Sequence, residues 1–160
     1  MRILRIVSIK DEFFSHHDLY DVDKELLPNI ENAHNRPYVI VLKLKFRGNN
    51  SDFAIPFRSN IAGHRDKVEY FALPPRKETK SKNIHGLHFI KMFPVNSAYF
   101  QKYNYTTSNA SATRTRQYIQ KNLSRLVSEA QHYLEKFEEG YRPSFCVDIG
   151  KVYDVLTAFS

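Results

Sequence analysis

Apolar and polar residues recur along this chain with two periods, and the alternation between them divides it into elements. Residues 3–9, rich in β-branched side chains, read as an opening strand, and residues 19–27 as a short helix with Ser15 and Asp18 as candidate caps. Residues 36–46 read as a long strand: Tyr38-Val39-Ile40-Val41-Leu42 is apolar on both faces, and Lys43, Leu44, Lys45 and Phe46 then alternate. Gly48-Asn49-Asn50-Ser51 supplies turn residues and Phe53-Ala54-Ile55-Pro56-Phe57 returns, so the two strands form a hairpin. Pro56 has no N–H to give to a ladder, which puts it on an edge or at the strand's end, where the chain leaves the sheet toward Arg58 and Ser59.

Further on, residues 68–73 suit a short strand, and residues 74–83 form a polar, basic loop that is expected to be mobile. Residues 86–93 read as a central strand ending at Pro94. Ile119, Leu123, Leu126, Ala130, Leu134 and Phe137 recur at helical spacing and Gly140 and Pro143 punctuate the end, which predicts one amphipathic helix. Arg114, Lys121, Arg125 and His132 fall opposite that stripe, so the helix presents a basic ridge. Residues 145–147 suit a last strand and residues 152–156 a terminal helix. The pattern holds no internal repeat or linker, and a chain of 160 residues is most economically one domain over 1–160.

Charge changes this picture more than composition does. Residues 34–127 hold 17 basic and 4 acidic residues, while the two flanks together hold 7 basic and 13 acidic. A concentrated basic region is the footprint of a nucleic-acid binder, because neutralised phosphates release counterions. Anionic membrane is the competing reading, and it is disfavoured because the cations lie across several strand-like segments rather than on one strongly apolar helix. No apolar run approaches a membrane span and residues 1–10 lack a signal-peptide pattern, so the expected location is the cytoplasm. Cys146 is the only cysteine, which excludes an internal disulfide and a cysteine-rich zinc site.

Two stretches concentrate reactive groups: Pro56-Phe57-Arg58-Ser59-Asn60 at the exit of the hairpin, and Lys82-Asn83-Ile84-His85-Gly86-Leu87-His88-Phe89-Ile90-Lys91. A ribonuclease that uses the substrate's 2'-hydroxyl needs a group to draw off that proton, a group to protonate the leaving 5'-oxygen, and cations or hydroxyls for the crowded phosphate. His, Arg, Ser and Lys suffice, and no metal or other cofactor is expected: there is no HExxH, cysteine pair or close carboxylate cluster in the basic centre. Plainer readings stand beside these. Ser59 with Asn60 suits a turn cap, Arg58 a surface cation, and each histidine a hydrogen-bonding core residue. In a strand, His85 and His88 would lie on opposite faces, so a shared site needs His85 in the preceding loop. His16-His17-Asp18 fits a solvated helix start better than a metal site. Tyr38, Tyr70, Phe71, Phe89 and Phe93 suit core packing better than base stacking. The residues alone describe a basic α+β nucleic-acid-binding domain.

The order and spacing of four segments add to this: Tyr38-Val39-Ile40-Val41-Leu42-Lys43-Leu44-Lys45-Phe46; Asp52-Phe53-Ala54-Ile55-Pro56-Phe57-Arg58-Ser59-Asn60-Ile61; Pro74-Pro75-Arg76; and His85-Gly86-Leu87-His88-Phe89-Ile90-Lys91-Met92-Phe93-Pro94. Together they resemble type III toxin-antitoxin endoribonucleases, most like the TenpN branch and more distantly ToxN and AbiQ. The resemblance implies an α+β fold with a twisted, mostly antiparallel sheet flanked by helices, distantly similar to MazF and Kid. It implies metal-independent cleavage of cellular or phage RNA to 2',3'-cyclic phosphate and 5'-hydroxyl ends. It also implies a small structured repeat RNA antitoxin, processed by the toxin and inhibiting it, in an RNA–protein assembly that can be closed. Ser59 matches the family's hydroxyl after the hairpin, Arg58 stands in for a Thr, and Ile61 stands where ToxN-like members have a Lys. Arg36 takes the place of a Lys ahead of the long strand.

The expectation is therefore a ribonuclease toxin in which Arg58 and Ser59 stabilise the phosphate, Arg36 positions it, and His85 or His88 exchanges protons, with cleavage rising near pH 6.5. Lys43, Lys45, Arg76, Lys77, Lys80, Lys82, Lys91, Arg114, Lys121 and Arg125 would join Arg36 in binding RNA. The alternatives are a non-enzymatic RNA-binding protein and a MazF-type ribonuclease with a protein antitoxin.

Overall fold

A computed structural model describes residues 4–26, 38–102 and 110–158. The expected elements at residues 3, 27, 36 and 37 extend beyond those ranges, so Arg36 lies outside the described residues. The elements are β1 (Arg5–Ile9), α1 (Asp11–His16), α2 (Leu19–Val22), β2 (Tyr38–Phe46), β3 (Asn49–Ala62), β4 (Tyr70–Ala72), β5 (Asn83–His88), β6 (Phe93–Pro94), β7 (Phe100–Lys102), α3 (Ala110–Lys121), α4 (Leu123–Glu138) and α5 (Ile149–Ala158). Neighbouring strands run antiparallel in the order β4-β5-β3-β2-β1-β7, with β6 pairing β3. The expected α+β class, a mostly antiparallel sheet with helices, is what the chain forms.

The hairpin is present, with a tighter turn than the four polar residues suggested. Asn49 and Asn50 already pair with Phe46 and Lys45, leaving Arg47 and Gly48 as the two-residue turn. Both have positive φ (50° and 79°), as a twisted two-residue hairpin requires. Arg47 tolerates that conformation because its guanidinium is held: it packs on the rings of Phe46 and Tyr153 and pairs with Asp154 of α5 at 2.6 Å.

Pro56 neither ends the strand nor lies at an edge. It is buried at the middle of the 14-residue β3, opposite Val39. On the side away from β2, Ala54 is the last residue paired to β6 and Phe57 the first paired to β5. Pro56 falls in the gap between these two ladders, so β3 changes partner there instead of leaving the sheet. The strand expected over residues 86–93 is likewise interrupted: β5 starts at Asn83 and ends at His88, a single 3-10 turn covers Phe89–Lys91, and β6 is only two residues long.

The helical stripe packs as its period predicted, with Ile119, Leu123, Leu126, Ala130, Leu134 and Phe137 all buried in one core cluster. It belongs to two helices, however. The Asn122 side chain donates to the Tyr118 carbonyl at 2.8 Å, competing with the helical ladder, and its backbone (φ −109°, ψ 19°) separates α3 from α4. β1 pairs β2 only as far as Val41, which leaves the backbone of Lys45 open on that side. Gln131 of α4 closes it, accepting from the Lys45 N–H and donating to the Lys45 carbonyl at 2.8 Å each. Residues 145–147 form no strand: a turn covers Ser144 and Phe145, and the Val147 N–H bonds the Ile90 carbonyl at 2.7 Å without a second ladder. No helix among the described residues is long and apolar enough to cross a membrane.

Candidate functional site

The partner change in β3 sets up the site. Arg58 lies opposite Gly86 of β5, and a register shift separates that pair from the next, Ile61 with Ile84, so the strand bulges at Ser59 and Asn60. Gly86 is needed there: a Cβ on it would stand 2.7 Å from the Phe71 carbonyl oxygen of β4. Over this region opens a cavity of about 430 Å³, lined by Arg58, Asn60 and Ile61 from β3, His64 and Arg65 from the turn after it, His88 from the end of β5, Ile90 and Lys91, and Glu25 and Phe145.

His88 is the unusual group. Only 7% of it is exposed, and neither ring nitrogen has a hydrogen-bond partner among the described residues. Burial, and then the charges of Arg58, Lys91 and Arg65, push its pKa down to about 3, so it is a neutral imidazole at physiological pH. Two of those cations are already engaged. Lys91 is buried and donates to the Glu25 carboxylate at 2.9 Å and to its backbone carbonyl at 3.2 Å. Arg65 grips the buried Glu69 carboxylate at 2.6 and 2.7 Å and donates to the Ser144 carbonyl at 2.8 Å. Arg58 has no ion-pair partner among the described residues, so its charge is available to an anion entering the cavity. Among these residues no three His, Cys, Asp or Glu side chains are grouped so as to hold a metal ion.

His85 does not share this site. It is inside β5, three positions from His88, and strand alternation turns it to the opposite face. There its ring stacks on Phe57 (centroids 6.4 Å apart, 24°) and its Nδ1 lies 2.8 Å from the Pro74 carbonyl oxygen. Burial, the largest influence, and the nearby Arg76 lower its pKa, while the Pro74 bond and Glu78 raise it. Ser59, half-buried in the bulge, does not line the cavity either. The plainer reading of Asn60 is closer: its amide accepts from the Lys80 N–H at 2.7 Å and donates to the Glu78 carbonyl at 3.0 Å. Those bonds, with the Arg76 N–H to Thr79 hydroxyl at 3.0 Å, tie down the loop that composition marked as mobile.

The cations expected to meet RNA fall into three groups. Lys77, Lys80 and Lys82 are exposed on the tied loop, and Arg76 beside them pairs with Glu78 at 3.4 Å. Lys43 and Lys45 line a second, polar hollow of about 650 Å³ with Ser124, Gln131 and His132 of α4, and Lys43 lies 3.7 Å from Asp52. Arg114 and Lys121 are exposed on α3. Arg125 is exposed on α4 but held: it pairs with Glu129 at 3.1 Å, donates to the Tyr118 hydroxyl at 3.3 Å and packs 4.5 Å from the centre of the Phe71 ring. Lys91 differs from the expected surface cation, since its ammonium is sequestered by Glu25. Arg65, His64, Glu25 and Phe145 were not among the residues expected from sequence. His64-Arg65 lies in the basic centre just beyond the hairpin, a signal that is present, whereas nothing local marks Glu25 or Phe145.

No protein-family model and no curated protein matches the sequence. Solved structures match its fold. One is a chain from a bacterial type III toxin-antitoxin system in which a non-coding RNA pseudoknot selectively inhibits the toxin; it is 15% identical, with a TM-score of 0.71 over 99% of this chain and 98% of that one. Another belongs to a bacterial antiviral system regulated by a processed non-coding RNA, 14% identical with a TM-score of 0.69 over 94% and 95%. A third is AbiQ, a lactococcal anti-phage endoribonuclease of the type III class, 14% identical with a TM-score of 0.70 over 99% and 98%. The chain therefore shares, nearly end to end, the fold of the solved type III toxin-antitoxin structures, AbiQ among them.

Proposed function

We propose that residues 1–160 form an endoribonuclease toxin of a type III toxin-antitoxin system, acting on cellular or phage RNA in the cytoplasm. The observation that carries the chemistry is His88, neutral, with both ring nitrogens buried and without a hydrogen-bond partner among the described residues, beside one cavity with Arg58, which has no ion-pair partner among the described residues. The shared fold supports the class of reaction but cannot supply the site.

In this reading the scissile phosphate enters the cavity and Arg58 takes two of its oxygens, as a planar guanidinium can. His88 accepts the 2'-hydroxyl proton while the 2'-oxygen forms a bond to phosphorus and the bond from phosphorus to the 5'-oxygen breaks. His64, exposed at the rim, gives a proton to that leaving oxygen. The products are a 2',3'-cyclic phosphate and a 5'-hydroxyl. A base with a pKa near 3 is weak; burial is the largest cause of that depression, and the phosphate's charge offsets the smaller part contributed by Arg58, Lys91 and Arg65, so His88 strengthens as a base when substrate arrives. A repeat RNA antitoxin would lie on the same basic surfaces and be processed in the same cavity. His85 and Ser59 take no part in this chemistry, since His85 is committed to Pro74 and Phe57 and neither residue lines the cavity.

Expression without RNA partner, followed by incubation of purified protein with RNA in chelator, tests the reading. Growth arrest and cyclic-phosphate ends are expected from the unaltered chain and not from His88→Gln. RNA left intact by the unaltered chain would refute the enzyme and leave an RNA-binding protein.

A further inference from the structure

Phe145 is 69% exposed and, with Tyr20, one of two large hydrophobic residues exposed among those described. One exposed apolar side chain is ordinary. This one has φ +67°, a left-handed conformation that L-residues with large side chains rarely adopt. The strain is not relieved, because the backbone on either side is fastened. Arg65 donates to the Ser144 carbonyl at 2.8 Å, the Cys146 N–H bonds the Pro143 carbonyl at 3.3 Å, and the Val147 N–H bonds the Ile90 carbonyl at 2.7 Å. A fastened, strained turn thus holds an aromatic residue toward solvent, and Phe145 is among the residues that line the same cavity as His88 and Arg58. Backbone strain persists where surrounding structure over-determines it, and such residues cluster at ligand sites.

We infer that Phe145 is a stacking platform for a nucleobase adjoining the phosphate bound in the cavity, so that the site reads a base face as well as a backbone. The inference rests on the ribonuclease reading for its ligand. Arg65 joins the two halves: the guanidinium whose charge is felt at His88 also holds the carbonyl that precedes Phe145. The ring offers a π-face with no hydrogen-bond code, so the platform strengthens binding of any stacked base and favours purines, which present the larger face.

The test compares binding of two uncleavable probes, a 2'-fluoro adenylate hexamer and the same backbone with every base removed. The unaltered protein should prefer the adenylate probe by about 10-fold, in line with base–aromatic stacking elsewhere. Phe145→Ala should abolish that preference without changing affinity for the abasic backbone, and Phe145→Trp should keep it. Phe145→Gly separates function from folding: it accommodates a positive φ, so its thermal midpoint should equal or exceed that of the unaltered protein while the base preference is lost. A preference that survives in Phe145→Ala, or that Phe145→Gly loses only together with thermal stability, overturns the platform. The ribonuclease reading is judged separately, by cleavage of ordinary RNA. A chain that cleaves RNA but shows no base preference refutes Phe145 alone, whereas a Phe145-dependent preference without cleavage leaves the platform standing and refutes the enzyme.

Discussion

Lowering the pH should unfold this protein through His88 in a way that can be worked out in advance. In the unfolded chain His88 has the ordinary histidine pKa of about 6.5, while in the fold it is pushed down to about 3 by burial and by Arg58, Lys91 and Arg65. The unfolded state therefore takes up the proton first. Above pH 6.5 His88 is neutral in both states and has no effect on stability; between 6.5 and 3 stability falls by about 1.4 kcal/mol for each pH unit. Between pH 7 and 5 this amounts to about 2 kcal/mol, a large part of a typical domain's net stability. His85, whose pKa is also lowered, acts in the same direction. The assay is urea unfolding at pH 7, 6 and 5 of the unaltered protein and of His88→Gln, which cannot titrate. The variant should lose about 2 kcal/mol less across that interval, with an unchanged denaturant slope. Parallel pH dependence in the two proteins would show that His88 is not held neutral by its surroundings, and the description of the cavity's electrostatics would fail.

The same depression alters the expected pH–rate profile: kcat/KM should show no His88 limb near 6.5, so a flat profile between about pH 5.5 and 8 is compatible with His88 as base, and a limb at 6.5 that vanishes in His88→Gln would contradict the depressed pKa. Arg58→Ala should lower kcat/KM on RNA by about 100-fold or more while leaving the thermal midpoint nearly unchanged, since the guanidinium has no ion-pair partner among the described residues to lose; a large drop in midpoint would make it structural. Gly86→Ala should destabilise by about 1–3 kcal/mol in urea unfolding, because its Cβ would meet a backbone oxygen, and a neutral result would mean the strands can part at no cost. Changing Lys77, Lys80 and Lys82 to Gln should lower the slope of log RNA affinity against log salt by about 0.7 for each phosphate that is no longer neutralised; no change would exclude the loop from the RNA surface.

Sequence alone determined the elements whose cause is local. The hairpin of β2 and β3 follows from alternating side chains around Gly48, and the buried stripe of α3 and α4 from helical spacing, because each pattern states which face must leave water. The uneven charge and the rule that histidines three apart in a strand face opposite ways were also legible. What sequence could not state is where a strand changes neighbours. The exchange of β6 for β5 beside β3 at Pro56 depends on residues 83–88 arriving from elsewhere in the chain, and it is this that puts Gly86 opposite Arg58 and His88, not His85, in the cavity wall. Glu25, Arg65 and Phe145 reach the same cavity from three separate segments. Local propensity carries no information about such meetings, which are decided by burial of the whole core; the low pKa of His88 exists only because that packing strips it of water and surrounds it with cations.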